Sequence, residues 1–221
     1  MSPEIVRLIV DAAGQTLYMV ASAGLIGTAL GLPLGVFLAT SGRGELFEAV
    51  AVNRALGLVV NATRSTPFII LVVAIIPFTR LVAGTSIGTT AAIVPLTVAA
   101  TPFIARIIET AIREVDQGLI EASRAMGATS LQIVAKVLLP EALPAIVLGL
   151  TLTAVSLIGY SAMVGAVGGG GLGDLGIRFG YQRFMPDVMA AVVVVLILLV
   201  QAVQSLGEWI ARHVNRRLRH A

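Results

Sequence analysis

Cysteine is absent from the 221 residues, which excludes disulfides, thiol nucleophiles and cysteine metal sites. Lysine is almost absent too. The only one, Lys136, follows an alanine, so the Gly-Lys pair of a phosphate-binding Walker loop cannot be written anywhere in the chain. Charged residues make up 12% of the sequence, where a soluble domain has about a quarter, and hydrophobic residues reach 57%. An ordinary soluble domain is excluded. The two histidines, His213 and His220, lie in the C-terminal tail, away from any serine in an apolar run, and no two acidic residues share such a run. That leaves no support for an intramembrane hydrolase or a metal site. The apolar runs also offer no carboxylate for a proton relay, while sodium held by backbone carbonyls stays open.

What is present is a set of long charge-free stretches, at residues 12–42, 81–105, 142–173 and 188–207. Each is long enough to cross about 30 Å of hydrocarbon at a rise of about 1.5 Å per residue. A fifth run, 55–79, is interrupted only by Arg64. Together they predict five transmembrane helices, at about 16–40, 55–79, 89–108, 144–167 and 187–206. The runs do not alternate and exceed the length of a barrel strand, so the fold class is an all-α polytopic membrane protein.

With five spans the two ends lie on opposite sides. One side collects Arg43, Arg54, Arg106, Arg113, Arg124, Lys136, Arg212, Arg216, Arg217 and Arg219, and the other Arg7, Arg80, Arg178 and Arg183. The positive-inside rule then places the N-terminus in the periplasm and the C-terminus in the cytoplasm. The expected organisation is a periplasmic segment 1–13, one membrane domain 14–207 and a basic cytoplasmic tail 208–221. The net charge is only +3. The tail reads as a topology anchor near anionic lipid, and nucleic acid is not expected as a partner. Ala21-Ser22-Ala23 imitates a signal-peptide cleavage site but sits inside a charge-free run with no basic region before it, so no signal peptide is expected.

Within the spans, Ala23, Gly27, Gly31 and Gly35 recur every four residues and present small residues on one helix face, for intramolecular packing or for a dimer seam. Arg64-Ser65-Thr66-Pro67 places an arginine about 14 Å into the second candidate span, where it must snorkel or face protein or water. Pro67 predicts a bent helix, with Ser65 and Thr66 substituting for the lost backbone bond. Pro95 and Pro102 fall two turns apart in the third span. After the fourth span come Gly165, Gly168, Gly169, Gly170, Gly171 and Gly173. Gly168-x-Gly170-x-x-Gly173 formally matches a dinucleotide fingerprint, with Asp187 near the acidic position, but a membrane helix rather than a strand precedes it. Close packing or an outer gate are the two readings that remain. Ser156, Tyr160, Ser161 and Met163 are the polar or polarizable side chains nearest that point, so with Arg64, Ser65, Pro67 and Gly165 they form the candidate translocation path or gate.

The segment EASRAMGATSLQIVAKVLLPEALP, residues 121–144, differs from all of this. Leu119, Ala122 and Met126 share one helical face, with Glu121 and Arg124 away from it. Gly127 sits where a left-handed helix cap is expected, and Thr129-x-x-Gln132 has capping-box spacing. Leu131, Val134, Ala135 and Leu138 give a second helix its apolar face, and Pro140 and Pro144 mark the return to the bilayer. A helix, glycine elbow, helix module on the cytoplasmic side is predicted, over about 117–140.

Glu121-Ala122-Ser123, Gly127 and Val137-x-Leu139-Pro140 resemble the EAA loop of the membrane subunits of ATP-binding-cassette importers, with Ser123 standing for alanine and Val137 for isoleucine. RSTPFIILVVAIIPFTRLVAGTSIG, AAIVPLTVAATPFIAR, GLIEASRAMGA, KVLLPEALP and GYSAMVGAVGGGGLG extend the likeness along nearly the whole chain, to the methionine-importer permeases of the type I importer family. The resemblance implies that Glu121, Ala122, Ser123, Arg124, Met126, Gly127, Leu139 and Pro140 form the coupling helix and its base. In that family this element docks into a cleft of a separate cytoplasmic ATPase. It implies a non-catalytic subunit of the bacterial inner membrane that binds no cofactor itself, with ATP and magnesium on the partner. The implied partners are two ATPase subunits, a second copy of the chain and a periplasmic or lipid-anchored methionine-binding protein. D- against L-methionine and related thioethers stay open.

Overall fold

The computed structural model describes residues 3–219, with side chains described through residue 215. His220 and the side chains of Arg216, Arg217 and Arg219 in the expected basic tail therefore lie outside the described residues. No strand occurs among the described residues. The first helix, α1 (Pro3–Thr40), is followed by α2 (Val50–Ser65), α3 (Phe68–Ala74), α4 (Ile76–Ala83) and α5 (Thr89–Arg113). Then come α6 (Gln117–Ala125), α7 (Ser130–Ile133), a π-helical turn (Val134–Leu138) and α8 (Leu139–Gly165). The chain closes with α9 (Gly171–Leu175), a second π-helical stretch (Gly176–Gln182) and α10 (Pro186–Arg219).

Four helical units are long and apolar enough to span a membrane: α1, α5, the continuous Ser130–Gly165 unit and α10. The fifth span is broken. α2 and α3 together meet the hydropathy criterion but meet at 105°, so the single helix expected over 55–79 is corrected. Thr66 is extended (φ −81°, ψ 125°) because the residue before a proline is barred from the helical region, and Pro67 has no N–H to continue the ladder. The hydroxyls of Thr63, Ser65 and Thr66 donate to the carbonyls of Val59, Asn61 and Ala62 at 2.9–3.1 Å, and that of Thr66 thereby serves the Ala62 carbonyl, whose N–H partner turns to Thr63 at the break.

α5 is the core of the bundle: half of its apolar window is buried, against 11% for α10. Leu96, Ile104 and Ile108 are fully enclosed. α1 lies along α5 through the small-residue ladder. A β-carbon on Gly31 would come 2.9 Å from both the Thr101 carbonyl oxygen and the Ile104 side chain, and one on Gly35 would come 2.8 Å from Ile108 Cβ. Of the two uses the ladder allows, intramolecular packing is the one the fold makes.

Three other boundaries depart from hydropathy. α1 starts at Pro3 rather than near residue 16, so residues 3–13 are its opening turns. At about 57 Å it is longer than the hydrocarbon layer. Ile9 and Ala12 on these turns bury against Leu172, Leu175, Val188 and Val192. α5 continues five residues beyond the expected end at 108. The fourth span does not start afresh at Pro144, because Pro140 sits in the first turn of α8, where its missing N–H is harmless, and the π-turn joins α7 to α8 without a break.

Gly31→Val and Gly35→Val should each separate α1 from α5 and lower stability by about 1–3 kcal/mol. Gly14→Ala, where nothing lies within 4 Å of the new methyl group, should be neutral or slightly stabilising. Thermal denaturation of the purified protein in detergent compares the three.

Candidate functional site

The elbow begins where Asp116 caps α6, its carboxylate accepting from the Gly118 N–H at 2.7 Å. α6 ends at Gly127, which is left-handed at φ 81°. The Gly127 N–H donates to Arg124 O at 2.9 Å and the Ala128 N–H to Ser123 O at 3.0 Å, so the last carbonyls are satisfied in the manner of a glycine C-cap. Thr129 and Gln132 close the reciprocal capping box that starts α7. Ser130 Oγ donates to Leu46 O at 3.4 Å, tying the elbow to the loop after α1.

The faces differ from the sequence expectation. On α6 the inward residues are Ile120 and Ser123, whose hydroxyl donates to Leu119 O at 2.7 Å. Leu119 and Met126 are exposed, Met126 at 81%. In the second helix Val134 and Leu138 are buried as expected, joined by Ile133, while Leu131 and Ala135 face out. The face is already set on α7, where Ile133 rather than Leu131 turns inward, and the π-turn that follows carries it on to Leu138. Glu121, Ala122, Arg124, Met126, Gly127 and Leu131 are all exposed, while Leu139 and Pro140 are half-buried at the base of α8. The tip is a polar prong that carries exposed Met126 and Leu131.

Just before this prong, in the last turns of α5, lies a buried charge that the hydropathy reading missed. Glu109 is only 7% exposed, so the expectation that the spans hold no buried carboxylate is corrected. It was legible only as the residue following the expected end of the third span. Glu109 accepts from Arg106 Nη1 at 2.6 Å and from Arg113 Nε at 3.2 Å, which occupies both carboxylate oxygens. Arg106 Nη2 also donates to Asn61 Oδ1 on α2 at 2.6 Å, and Arg113 Nη2 to Leu38 O on α1 at 3.2 Å. Glu45 stands 3.9 Å from Arg113. One buried acid thus ties α1, α2 and α5 together at the root of the elbow.

The candidate path residues fall into two groups. Arg64, Ser65 and Pro67 are exposed at the α2–α3 break, and the Arg64 guanidinium stands 5.7 Å from the centre of the Phe103 ring. Tyr160 stacks on Phe68 with ring centres 4.3 Å apart. Arg64, Phe68, Phe103 and Tyr160 surround one small cavity of about 110 Å³. Met163 is 47% exposed. Ser156 Oγ donates to Leu152 O at 3.0 Å. Ser161 and Gly165 are instead packed. Ser161 is 2% exposed and donates to Ile158 O at 2.7 Å. Gly165 lies against the backbone of Gly173 and Asp174 with no room for a side chain. The glycine run forms a tight return. Gln15 Oε1 accepts from the Gly171 N–H at 2.9 Å and Thr16 Oγ1 from the Leu172 N–H at 3.0 Å. The sequence signal for these two was a polar pair at the start of a long charge-free run.

Comparison with known proteins agrees with this architecture. Residues 31–220 match the family described as binding-protein-dependent transport system inner membrane component. The chain is 59% identical over 210 residues to the probable D-methionine transport system permease protein MetI of Vibrio cholerae, covering 95% of this chain and 93% of that one. It is 48% identical over 217 residues to the protein of the same description in Pasteurella multocida, covering 98% and 100%. A solved structure described as an inward-facing conformation of the MetNI methionine ABC transporter, in its native CY5 crystal form, superposes with a TM-score of 0.95 at 51% identity. That match covers 97% of this chain and 99% of the other.

Glu109→Ala should leave Arg106 and Arg113 without their shared carboxylate and destabilise the protein by about 2 kcal/mol, less than a fully buried pair because both arginines are partly exposed. A fall in the detergent melting temperature, with the helical circular dichroism spectrum unchanged at low temperature, is the expected result.

Proposed function

Because this chain belongs to the family of binding-protein-dependent transport system inner membrane components, we propose that it is the permease subunit of an ATP-driven methionine importer. The single observation that carries this reading is the near-complete superposition, at 51% identity, on a chain of a methionine ABC transporter. The solute is methionine, with D- and L-forms and related thioethers as candidates. The relatives from Vibrio cholerae and Pasteurella multocida are described for the D-form.

In this reading the chain does no covalent chemistry. ATP and magnesium bind to two partner ATPase subunits, a second copy of the chain completes the path, and an external methionine-binding protein delivers the solute. The membrane is the bacterial inner membrane, with the N-terminus periplasmic and the elbow and C-terminus cytoplasmic, as the distribution of arginines favours. The coupling residues are Glu121, Ala122, Ser123, Arg124, Met126, Gly127, Leu139 and Pro140. Exposed Met126 and Leu131 at the tip supply apolar area that a cleft in the ATPase covers, and Glu121 and Arg124 set its electrostatic fit.

A push on the elbow has two rigid routes into the membrane. One runs through α5 and the Glu109 ion pairs to α1 and α2. The other runs through the continuous Ser130–Gly165 helix to the outer face. Nucleotide can shift the balance between two openings only if such an element has different contacts in each state, and the elbow is placed to provide them.

Reconstituted in liposomes with the ATPase and the binding protein, the chain should import labelled methionine only when ATP is supplied on the ATPase side. Import that persists without the ATPase, driven by an ion gradient, overturns the reading in favour of a carrier. Gly127→Pro is incompatible with φ 81°. That substitution, or Glu121→Lys, should weaken ATPase co-purification and methionine import about tenfold, the effect of losing one well-placed interfacial interaction, while membrane insertion stays intact. Normal import by both variants sinks the coupling assignment.

A further inference from the structure

Arg64 has no counter-ion among the described residues. It lies in the last turn of α2, about 21 Å along that helix from Val50, and its ring partner Phe103 lies about 15 Å before the cytoplasmic end of α5. Measured from the expected spans, Arg64 lies about 14 Å into the second and Phe103 about 8 Å before the end of the third at 108, so the guanidinium stands within the apolar spans on their cytoplasmic side. Its neighbour Arg106 is neutralised by Glu109 and bonded to Asn61. Among the described residues, no carboxylate stands within ion-pair distance of Arg64. An unpaired cation at this depth is costly unless it faces water or a transient anion.

Arg64 faces open space on two sides. Toward the cytoplasm it lines a cavity of about 430 Å³ with Phe103, Ile107, Leu148 and Leu152, and Glu114 stands at the far end of that cavity. On the other side it lines the 110 Å³ cavity that the stacked Phe68 and Tyr160 border. The unpaired guanidinium of Arg64 beside the Glu109-paired Arg106, an apolar wall and, across the second cavity, the stacked rings form a site for a small molecule with one anionic group and one apolar arm.

Resting on the reading of the chain as a methionine permease, we propose that Arg64 is a carboxylate-binding station inside the path. Its planar fork receives the α-carboxylate of the passing amino acid, and the side chain of the solute lies on Phe103, Ile107 and Leu148. The Phe68–Tyr160 stack closes the station from the outer side. Glu114, eleven residues further along α5 than Phe103, draws the ammonium group toward the cytoplasmic mouth. A phospholipid phosphate offers similar oxygens, but the two cavities that Arg64 borders favour the solute.

The test uses the assembled transporter in nanodiscs, without ATP. Hydroxyphenylglyoxal modifies free guanidinium groups, and peptide mass mapping follows its reaction at Arg64. Methionine at several times its Kd should slow that reaction about fivefold, and methioninamide, which lacks the carboxylate, should not. Absence of protection by methionine overturns the station. Protection by phosphatidylglycerol nanodiscs alone, relative to phosphatidylcholine, overturns it in favour of a lipid headgroup.

In liposomes, Arg64→Gln should reduce methionine uptake about tenfold, the loss of one charge-assisted hydrogen-bond set, with Arg64→Lys intermediate. Wild-type uptake by Arg64→Gln overturns the station while leaving the permease reading in place. If Arg64→Gln does not assemble, protection of the unmodified chain decides the matter. Failure of the wild-type transporter to import methionine overturns the functional reading and the station with it.

Discussion

The hydrocarbon that surrounds the helices governs this molecule. In hydrocarbon no solvent rescues an unpaired backbone group or charge, so each interruption of a helix must bring its own partners. The α2–α3 break is lined by three hydroxyls that return to carbonyls of their own helix. The glycine return after α8 is held by Gln15 and Thr16 from α1. The buried Glu109 has both oxygens occupied by arginines. Arg64 is the conspicuous exception, and it opens onto cavities.

The same constraint explains how the helices approach one another. Without a hydrophobic drive between apolar surfaces already in lipid, association depends on close backbone approach and on a few polar ties. Gly27, Gly31 and Gly35 let α1 lie on α5, Gly149 admits Ile107, and Gly207 admits Thr151. The many exposed leucines, isoleucines and valines of α1, α8 and α10 are the surface such a bundle presents to acyl chains. Rigid seams of this kind suit the proposed importer, in which a displacement at the elbow would be carried along whole helices.

Much of the elbow was legible in the sequence because its signals are local. The left-handed Gly127 is a single position and the Thr129–Gln132 box joins residues three apart, and the structure uses both as expected. Its inward face was not legible, because Ser123 packs inward while Leu119, Met126 and Leu131 face out, the reverse of what hydrophobicity ranks. Glu109 was hidden for a different reason. The expected span ends just before its first carboxylate, whereas the fold carries α5 beyond it by pairing Glu109 with Arg106 and Arg113.

By itself the sequence determined that this chain lives in a membrane as an α-helical bundle and presents a polar elbow. It also showed that no Walker loop can be written in it, because charge spacing, glycine position and the missing Gly-Lys pair are one-dimensional properties. Only the tertiary structure decided that the second span is folded back on itself, that the glycine ladder serves α5, and which charges are paired. Those outcomes depend on which distant helix lies opposite a residue, a relation set by packing across the bundle rather than by neighbours in the chain.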